Sequence, residues 1–341
     1  MEQNYVQEGS VIRFFTRNNM ILLAGCLIVT IVSYLLALRY GGVATISLNE
    51  IFKTILQSDP ASSHGRLFME IRLPLVTNTL LYGVAIGVAG VLLQRATRST
   101  VVCPSTLGIV PACIVAILIA LHLFELQNEW AAVLISILGA AFGLLLTCLF
   151  SLVIPIQVKG IRLLIGGLAT ACVLGIVLFI LVIKWRQETP FILGLETGLF
   201  TIGSLLIPIS LVCFILSLCL SGRMNGNDSI WLIAICTAMA LILTGTAVAT
   251  SGVWVMAGLI ASTIARGLTR KADYRILIPV SAMIGASIMT LLKLLSYLIN
   301  PPLETPLNMM TGLIGLPLLV LLIWKEAVRY SRVSQADRTT A

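Results

Sequence analysis

Long apolar stretches separated by short polar segments follow one another through the 341 residues of the chain. A stretch of about 20 apolar residues can cross the roughly 30 Å hydrocarbon core of a membrane as an α-helix. The stretches lack the strict in–out alternation that is typical of membrane β-strands. The pattern therefore predicts about ten membrane-spanning helices, at about 20–38, 75–93, 107–124, 130–154, 161–183, 204–220, 230–250, 254–268, 276–298 and 307–324.

The composition supports this interpretation, since 58% of the residues are hydrophobic, only 11% are charged, and the mean hydropathy is +1.05. A soluble domain carries about 25% charged residues. We therefore predict an all-α fold, a polytopic membrane helix bundle. A single transmembrane permease domain is expected to occupy residues 1–341, with short cytoplasmic tails at about 1–19 and 325–341.

The net charge of +8 could indicate binding of nucleic acid, but the positions of the basic residues favour another explanation. Roughly fifteen Lys and Arg residues fall in alternate polar segments, and about six fall in the others. The side richer in Lys and Arg is normally cytoplasmic, so both termini are predicted to be cytoplasmic, with no nucleic-acid partner. The short eighth span must be kept, because omitting it would move the Arg266–Arg275 cluster to the other side.

Sequence signatures of catalysis, metal binding or nucleotide binding are missing. The chain has no G-x-x-x-x-G-K-[ST] segment, so it cannot hydrolyse ATP by a P-loop. The eight cysteines form no C-x-x-C pair, and we predict neither a metal site nor a cofactor. Acidic residues are nearly absent from the predicted spans, so no carboxylate relay for proton coupling can be named. A transporter with this sequence would need its energy from a partner protein.

Lys293 is the one charge that lies clearly inside a predicted span, and two interpretations remain open for it. A charge within the membrane is a candidate functional residue. Alternatively, Lys293 lies near the outer end of its helix and extends its side chain to the membrane surface.

Small residues at a spacing of four indicate close helix packing. Gly83-x-x-x-Gly87 and Gly139-x-x-x-Gly143 would let neighbouring backbones approach each other, as helix association in lipid requires.

A series of short motifs occurs in a fixed order between about residues 70 and 325. They are Ile71-Arg72-Leu73-Pro74, Gly87-x-x-Gly90-x-x-x-Gln94 with Thr97-Arg98, Pro104-x-x-Leu107-Gly108, Gly258-Leu259-Ile260 leading to Ile264-Ala265-Arg266, Leu277-x-Pro279, and Glu304-x-Pro306 followed by Leu313-Ile314-Gly315-x-Pro317. No single motif is decisive. As an ordered set they make the chain resemble the FecCD/BtuC-like permease subunits of ABC importers for iron–siderophores, haem and vitamin B12.

The resemblance implies the fold of a type II ABC importer permease and a position in the bacterial cytoplasmic (inner) membrane. Its function would be uptake of an iron–siderophore or a related metal chelate by alternating access. It also implies four kinds of partner: membrane lipid, a second permease subunit in a homo- or heterodimer, a dimer of ABC ATPases, and a periplasmic or lipid-anchored substrate-binding protein. The permease itself would not be an enzyme, and its fifth and tenth spans would border the path.

On the outer face, the resemblance implies that Arg72 receives an acidic residue of the binding protein. Two further basic positions of the family are Leu75 and Tyr297 here. Lys293, one turn before Tyr297, and Arg66 are expected to compensate for these losses.

On the inner face, the resemblance implies that the loop at 221–229 faces the ATPase. This loop is about a dozen residues shorter than is usual in the family, and it keeps only Arg223, Asn225 and Asp228 as candidate contacts. Two explanations remain open. The chain pairs with a different permease that retains the coupling segment, or it is a divergent, non-transporting or regulatory paralogue. A secondary transporter is a third, less favoured reading, because carboxylates are so scarce in the spans.

Overall fold

The computed structural model describes residues 17–40, 68–124, 128–155, 159–185, 206–225, 229–252, 256–269, 273–299 and 307–339. In these ranges the chain forms ten α-helices and one five-residue π-helical turn, Phe68–Arg72, which leads directly into the second helix. The helices are α1 (Arg17–Tyr40), α2 (Leu73–Thr97), α3 (Ile109–Phe124), α4 (Glu129–Val153), α5 (Lys159–Lys184), α6 (Leu206–Met224), α7 (Ile230–Ser251), α8 (Ala257–Thr269), α9 (Tyr274–Ile299) and α10 (Leu307–Thr339).

Each predicted span coincides with one of these helices. Within the described residues, seven helices are long and apolar enough to cross a membrane, and α3 and the segment Met309–Lys325 of α10 are shorter apolar helices. The weak eighth span is a helix of only 13 residues. The protein is therefore an all-α membrane bundle.

Two helices extend beyond their predicted ends. Helix α6 continues to Met224, so the first residues of the predicted loop 221–229 form its last turn. Helix α10 continues to Thr339, where a polar tail was predicted. Hydropathy marks where a helix leaves the lipid, but beyond that point local propensity and packing decide where the backbone stops being helical.

Helices α2 and α9 form the centre of the bundle and approach each other closely through small residues. A side chain at Gly83 would collide with the backbone carbonyl of Gly285, and a Cβ at Gly87 would lie 2.5 Å from the carbonyl oxygen of Ser281. The Ser281 hydroxyl donates a hydrogen bond to the Gly87 carbonyl at 2.9 Å. The close packing predicted from Gly83 and Gly87 is thus confirmed.

Hydroxyl pairs connect α1 to the other side of α9. Thr30 and Ser287 lie 2.8 Å apart between oxygens, and Ser33 and Thr290 lie 2.6 Å apart. Each hydroxyl also lies within hydrogen-bond distance of a carbonyl of its own helix, and because it has one proton, one member of each pair donates to the other while the second donates to its carbonyl. Each such bond between membrane helices contributes about 0.6 kcal/mol, so the pairs fix the register of α1 on α9.

The segment between α2 and α3 is buried although it is not helical. Val102 and Cys103 have no exposed surface, and the Ser105 hydroxyl accepts a hydrogen bond from the backbone N–H of Met256, just before α8, at 3.1 Å. Irregular backbone is tolerated at membrane depth only where protein or a water-filled cavity surrounds it. The segment before α3 thus lies against the start of α8 inside the bundle.

Large apolar side chains on the perimeter remain exposed, as lipid contact requires. Exposed tryptophans lie at the start of α4 (Trp130), at the start of α7 (Trp231) and near the end of the apolar part of α10 (Trp324). Tryptophan is enriched at this level, where the membrane meets water.

Candidate functional site at the basic end of the bundle

Four helices meet around a cavity of about 400 Å³ at one end of the bundle. Helices α2, α6 and α8 end there, and α9 begins there. This agrees with the prediction of an eighth span, which puts the ends of the second, sixth and eighth spans on the same side of the bundle. We call this cavity the basic pocket, and its described lining residues are Gln94, Arg95, Arg98, Ser99, Thr100, Met224, Asn225, Arg266 and Tyr274. Three of the predicted family-motif positions, Gln94, Arg98 and Arg266, therefore lie in one site with Asn225 from the predicted ATPase-facing loop.

Gln94 forms the floor of the basic pocket, and both the nitrogen and the oxygen of its side-chain amide form hydrogen bonds. Its Nε2 donates to the Thr100 carbonyl at 2.9 Å and to the Ser262 hydroxyl at 2.8 Å. Its Oε1 accepts from Nε of Arg266 at 2.7 Å. The Gln94 side chain thereby orients the guanidinium of Arg266.

Arg95 and Tyr274 complete the wall of the pocket, and the sequence did not single out either of them. Nε of Arg95 donates to the Met224 carbonyl at 2.9 Å, and the side chain is 8% exposed. The guanidinium carbons of Arg95 and Arg266 each lie 5.9 Å from the centre of the Tyr274 ring. A cation this close to an aromatic face is attracted by the electrons of the ring.

Arg98 caps the C-terminal end of α2 in a left-handed conformation, with φ 54° and ψ 31°. This conformation usually belongs to glycine, because a Cβ costs about 1–2 kcal/mol there. The positive charge is favourably placed, since the C-terminal end of a helix carries partial negative charge.

Asn225 connects the end of α6 to the start of α9. Its Nδ2 donates to Asp273 Oδ1 at 2.8 Å, and its Oδ1 accepts from the Tyr274 backbone N–H at 3.1 Å. The same Asp273 oxygen accepts from the Arg275 N–H at 3.0 Å. Arg223 is exposed and does not line the pocket. Asp228 lies outside the described residues.

The motif positions Pro74, Pro104 and Gly108 shape the backbone. Pro74 lies in the first turn of α2, where its missing N–H costs nothing. The Pro104 carbonyl accepts the Ile109 N–H at 3.1 Å, and Gly108 has φ +67°, so these two residues set the start of α3.

Gly258 and Gly315 are close-packing positions. A Cβ at Gly258 would lie 2.9 Å from Cγ2 of Ile86, and a Cβ at Gly315 would lie 2.5 Å from the Cβ of Met256. Pro317 lies inside α10. The remaining motif positions, Glu304 and Pro306, lie outside the described residues.

The predicted outer site lies elsewhere in the molecule, and its two described cations are buried. Arg72 is 4% exposed and donates from Nη1 to the Leu38 carbonyl at 3.3 Å. Burial lowers the pKa of the Arg72 guanidinium, and attraction to Tyr297 partly opposes this shift. Lys293 has no exposed surface, and its Nζ lies 4.6 Å from the centre of the Tyr297 ring. The alternative that Lys293 extends to the membrane surface is therefore wrong. Arg66 lies outside the described residues.

The fold is similar to that of a solved protein assigned to the metal-chelate type of ABC transporter and captured in an inward-facing conformation. The TM-score is 0.69, with 22% sequence identity, and the match covers 89% of this chain and 98% of the other. At this identity the likeness establishes the arrangement of helices alone.

Sequence comparison extends the likeness to three permease proteins. The iron-uptake system permease protein FeuB of Bacillus subtilis is 28% identical, over 86% of this chain and 92% of its own length. The iron(3+)-hydroxamate import system permease protein FhuB of Bacillus subtilis is 26% identical, over 84% of this chain and 78% of its own length. The Fe(3+) dicitrate transport system permease protein FecD of Escherichia coli is 26% identical, over 76% of this chain and 86% of its own length.

The profile of the FecCD transport family matches residues 28–325, which includes all of α2 to α9 and every residue of the basic pocket. The chain therefore belongs to the FecCD transport family.

Proposed function

We propose that this chain is a permease subunit of an ABC importer that takes an iron–siderophore complex, or a related metal chelate, across the bacterial cytoplasmic membrane. The observation that carries this proposal is the family match over residues 28–325. The similar proteins FeuB, FhuB and FecD are named as permeases for iron, iron(3+)-hydroxamate and Fe(3+) dicitrate. The whole chain, residues 1–341, forms one transmembrane domain with both termini in the cytoplasm, so the basic pocket faces the cytoplasm.

The work of transport is done by separate ABC ATPases. The sequence contains no P-loop motif, so this chain cannot bind ATP by a P-loop. ATP binding and hydrolysis in the partners shift the bundle between inward- and outward-facing states. The bound chelate changes that balance only through its different affinity for the two states.

A second permease subunit completes the path, which α5 and α10 border. The connection between α6 and α7 has only five residues, from 225 to 229, and this supports pairing with a different permease that bears a longer coupling segment.

A substrate-binding protein delivers the chelate to the outer face, with Arg72, Arg66 and Lys293 as the proposed docking residues. Since Arg72 and Lys293 are buried, they act on an approaching carboxylate through their charge more than by direct contact. Replacing Arg72 by Glu should weaken docking of the purified binding protein, and R72Q should have a smaller effect. Docking that is equal for R72E and the wild type at several salt concentrations would count against this role.

Uptake of radioactive ferric complexes tests the proposed function. A strain that lacks this gene should lose uptake of at least one of ferric hydroxamate, ferric catecholate or ferric citrate, and the restored gene should return it. Purification of the tagged chain from gently solubilised membranes should recover an ABC ATPase. Unchanged uptake of all three, together with recovery of the chain without an ATPase, would favour the non-transporting paralogue.

A further inference from the structure

We propose that the basic pocket is a receptor for an acidic side chain that the partner ATPase inserts from the cytoplasm. This inference rests on the proposed function and adds a specific contact to it. The ligand class is a carboxylate of Asp or Glu on a protein, and the residues that receive it are Arg98 and Arg266, supported by Arg95.

The chemistry of the pocket suits an anion. Three arginines and the amide of Gln94 line a cavity of about 400 Å³, and its described lining contains no Asp or Glu. The nearby carboxylate of Asp273 accepts bonds from Asn225 and from the Arg275 N–H. A guanidinium offers paired N–H groups that match the two oxygens of a carboxylate, and such charged bonds are about twice as strong as neutral ones.

The arginines are held in place before any partner arrives. Arg266 is fixed by Gln94 Oε1 at 2.7 Å, and Arg95 by the Met224 carbonyl at 2.9 Å. Both guanidinium groups also lie at the ring of Tyr274. A side chain that is already ordered loses less entropy on binding, so a preorganised pocket binds its ligand more tightly.

The backbone at Arg98 gives an independent reason to assign a role to its side chain. Arg98 is exposed and has φ 54°, a conformation in which glycine would be more stable. Arg98 therefore lowers the stability of the fold, and it lies at the rim of the pocket. A charged side chain kept at such a position is a candidate contact residue.

The position of the pocket favours a protein ligand over a lipid headgroup. Its floor, Gln94 and Arg95, belongs to α2, and among the described residues no large apolar side chain of α2 is exposed to lipid. The pocket thus opens along the axis of the bundle, whereas a lipid headgroup would approach at the perimeter. The five-residue connection between α6 and α7 is too short to form a projecting helical hairpin. The partner must therefore supply the projecting group.

A photo-crosslinking amino acid at position 100 tests the contact in the full-length protein, because Thr100 lines the pocket and is exposed, and its replacement leaves all three arginines in place. p-Benzoylphenylalanine is incorporated there by codon suppression, the native membranes are irradiated, and the products are digested and identified by mass spectrometry. The expected product joins position 100 to a peptide of an ABC ATPase that contains Asp or Glu. Crosslinks only to phospholipid, only within this chain, or to nothing would each overturn the inference.

Variants at position 98 measure the contribution of the charge. Arg98→Glu and Arg98→Gly should lower the recovery of the ATPase with the tagged chain by about tenfold, the value expected for losing one charged hydrogen bond. Arg98→Lys should retain more of it than either. Lys325→Glu is the matched control, because Lys325 is exposed and does not line the pocket, and recovery should be unchanged.

The outcomes separate the two proposals. If the wild-type chain recovers no ATPase, the proposed function fails and this inference fails with it. If the wild type and all Arg98 variants recover the ATPase equally, the importer remains and only the receptor role of the pocket is overturned. Equal losses in R98E and K325E would show that general surface charge, and not the pocket, governs recovery.

Discussion

Gln94 and Arg266 are 172 positions apart in the sequence and share a hydrogen bond of 2.7 Å between Oε1 and Nε. The bond connects the end of α2, at the centre of the bundle, to the end of the short helix α8. Through the same amide, Gln94 also holds Ser262 of α8 and the backbone of Thr100. This side chain therefore determines how α8 and the buried segment after α2 are placed relative to each other.

Replacing Gln94 by Met should destabilise the protein by about 2 kcal/mol, because Arg266 and Ser262 would lose a buried partner. The melting temperature of the detergent-solubilised protein, followed by size-exclusion chromatography, measures the effect. Thr97→Val is the control on the same helix, since the Thr97 hydroxyl donates to the Leu93 carbonyl of its own helix, and the change should stay within about 0.5 kcal/mol. Equal losses in both variants would contradict the bridging role of Gln94.

Replacing Arg98 by Gly should raise the stability of the isolated chain by about 1 kcal/mol relative to Arg98→Ala. Both variants remove the charge, but only glycine adopts φ 54° without a Cβ penalty. The two melting temperatures are compared in the same detergent. If Arg98→Gly melts no higher than Arg98→Ala, the left-handed backbone at this position is not strained.

Replacing Gly83 by Val should destabilise the bundle by about 3 kcal/mol, because the new side chain would collide with the backbone of Gly285 on α9. Gly25→Ala on α1 is the matched control. A Cβ at Gly25 meets nothing within 4 Å, and alanine favours a helix by about 0.5–1 kcal/mol. Gel filtration and thermal melting would reveal the difference, and a tolerated valine would show that α2 and α9 are not in close contact.

Lys293 and Tyr297 should be energetically coupled, because Nζ lies 4.6 Å from the centre of the ring in a buried environment. A double-mutant cycle with Lys293→Met, Tyr297→Leu and the double variant should give a coupling of about 2 kcal/mol, the value for a desolvated cation over an aromatic ring. Stability effects that add within about 0.5 kcal/mol would show that the two residues act independently.

The sequence determined the order and approximate bounds of the helices in the part of the chain that the structure describes. Helix α4 was predicted at 130–154 and spans Glu129–Val153, and the weak eighth span is the helix Ala257–Thr269. This succeeds because hydrocarbon offers no partner to a free N–H or C=O group, so each long apolar segment must form its own hydrogen bonds as a helix. The close approach at Gly83 and Gly87 was also readable, since only small residues permit it.

The sequence was less informative about helix ends outside the lipid. Helix α6 reaches Met224 and α10 reaches Thr339, beyond the predicted 220 and 324. Outside the membrane hydropathy no longer sets the end of a helix, and local propensity and packing decide where it stops.

The basic pocket could be assembled only from the tertiary structure. The motifs pointed to Gln94, Arg98 and Arg266 one at a time, but not to their meeting with Arg95 and Tyr274. The residues come from the ends of separate helices, and they meet because α2, α8 and α9 pack closely along small residues. The sequence likewise left the position of Lys293 open, because hydropathy fixes depth in the membrane and not the direction in which a side chain faces. Thus the hydrocarbon of the membrane requires each long apolar segment to be a helix, whereas contacts between distant helices determine which polar residues share a site.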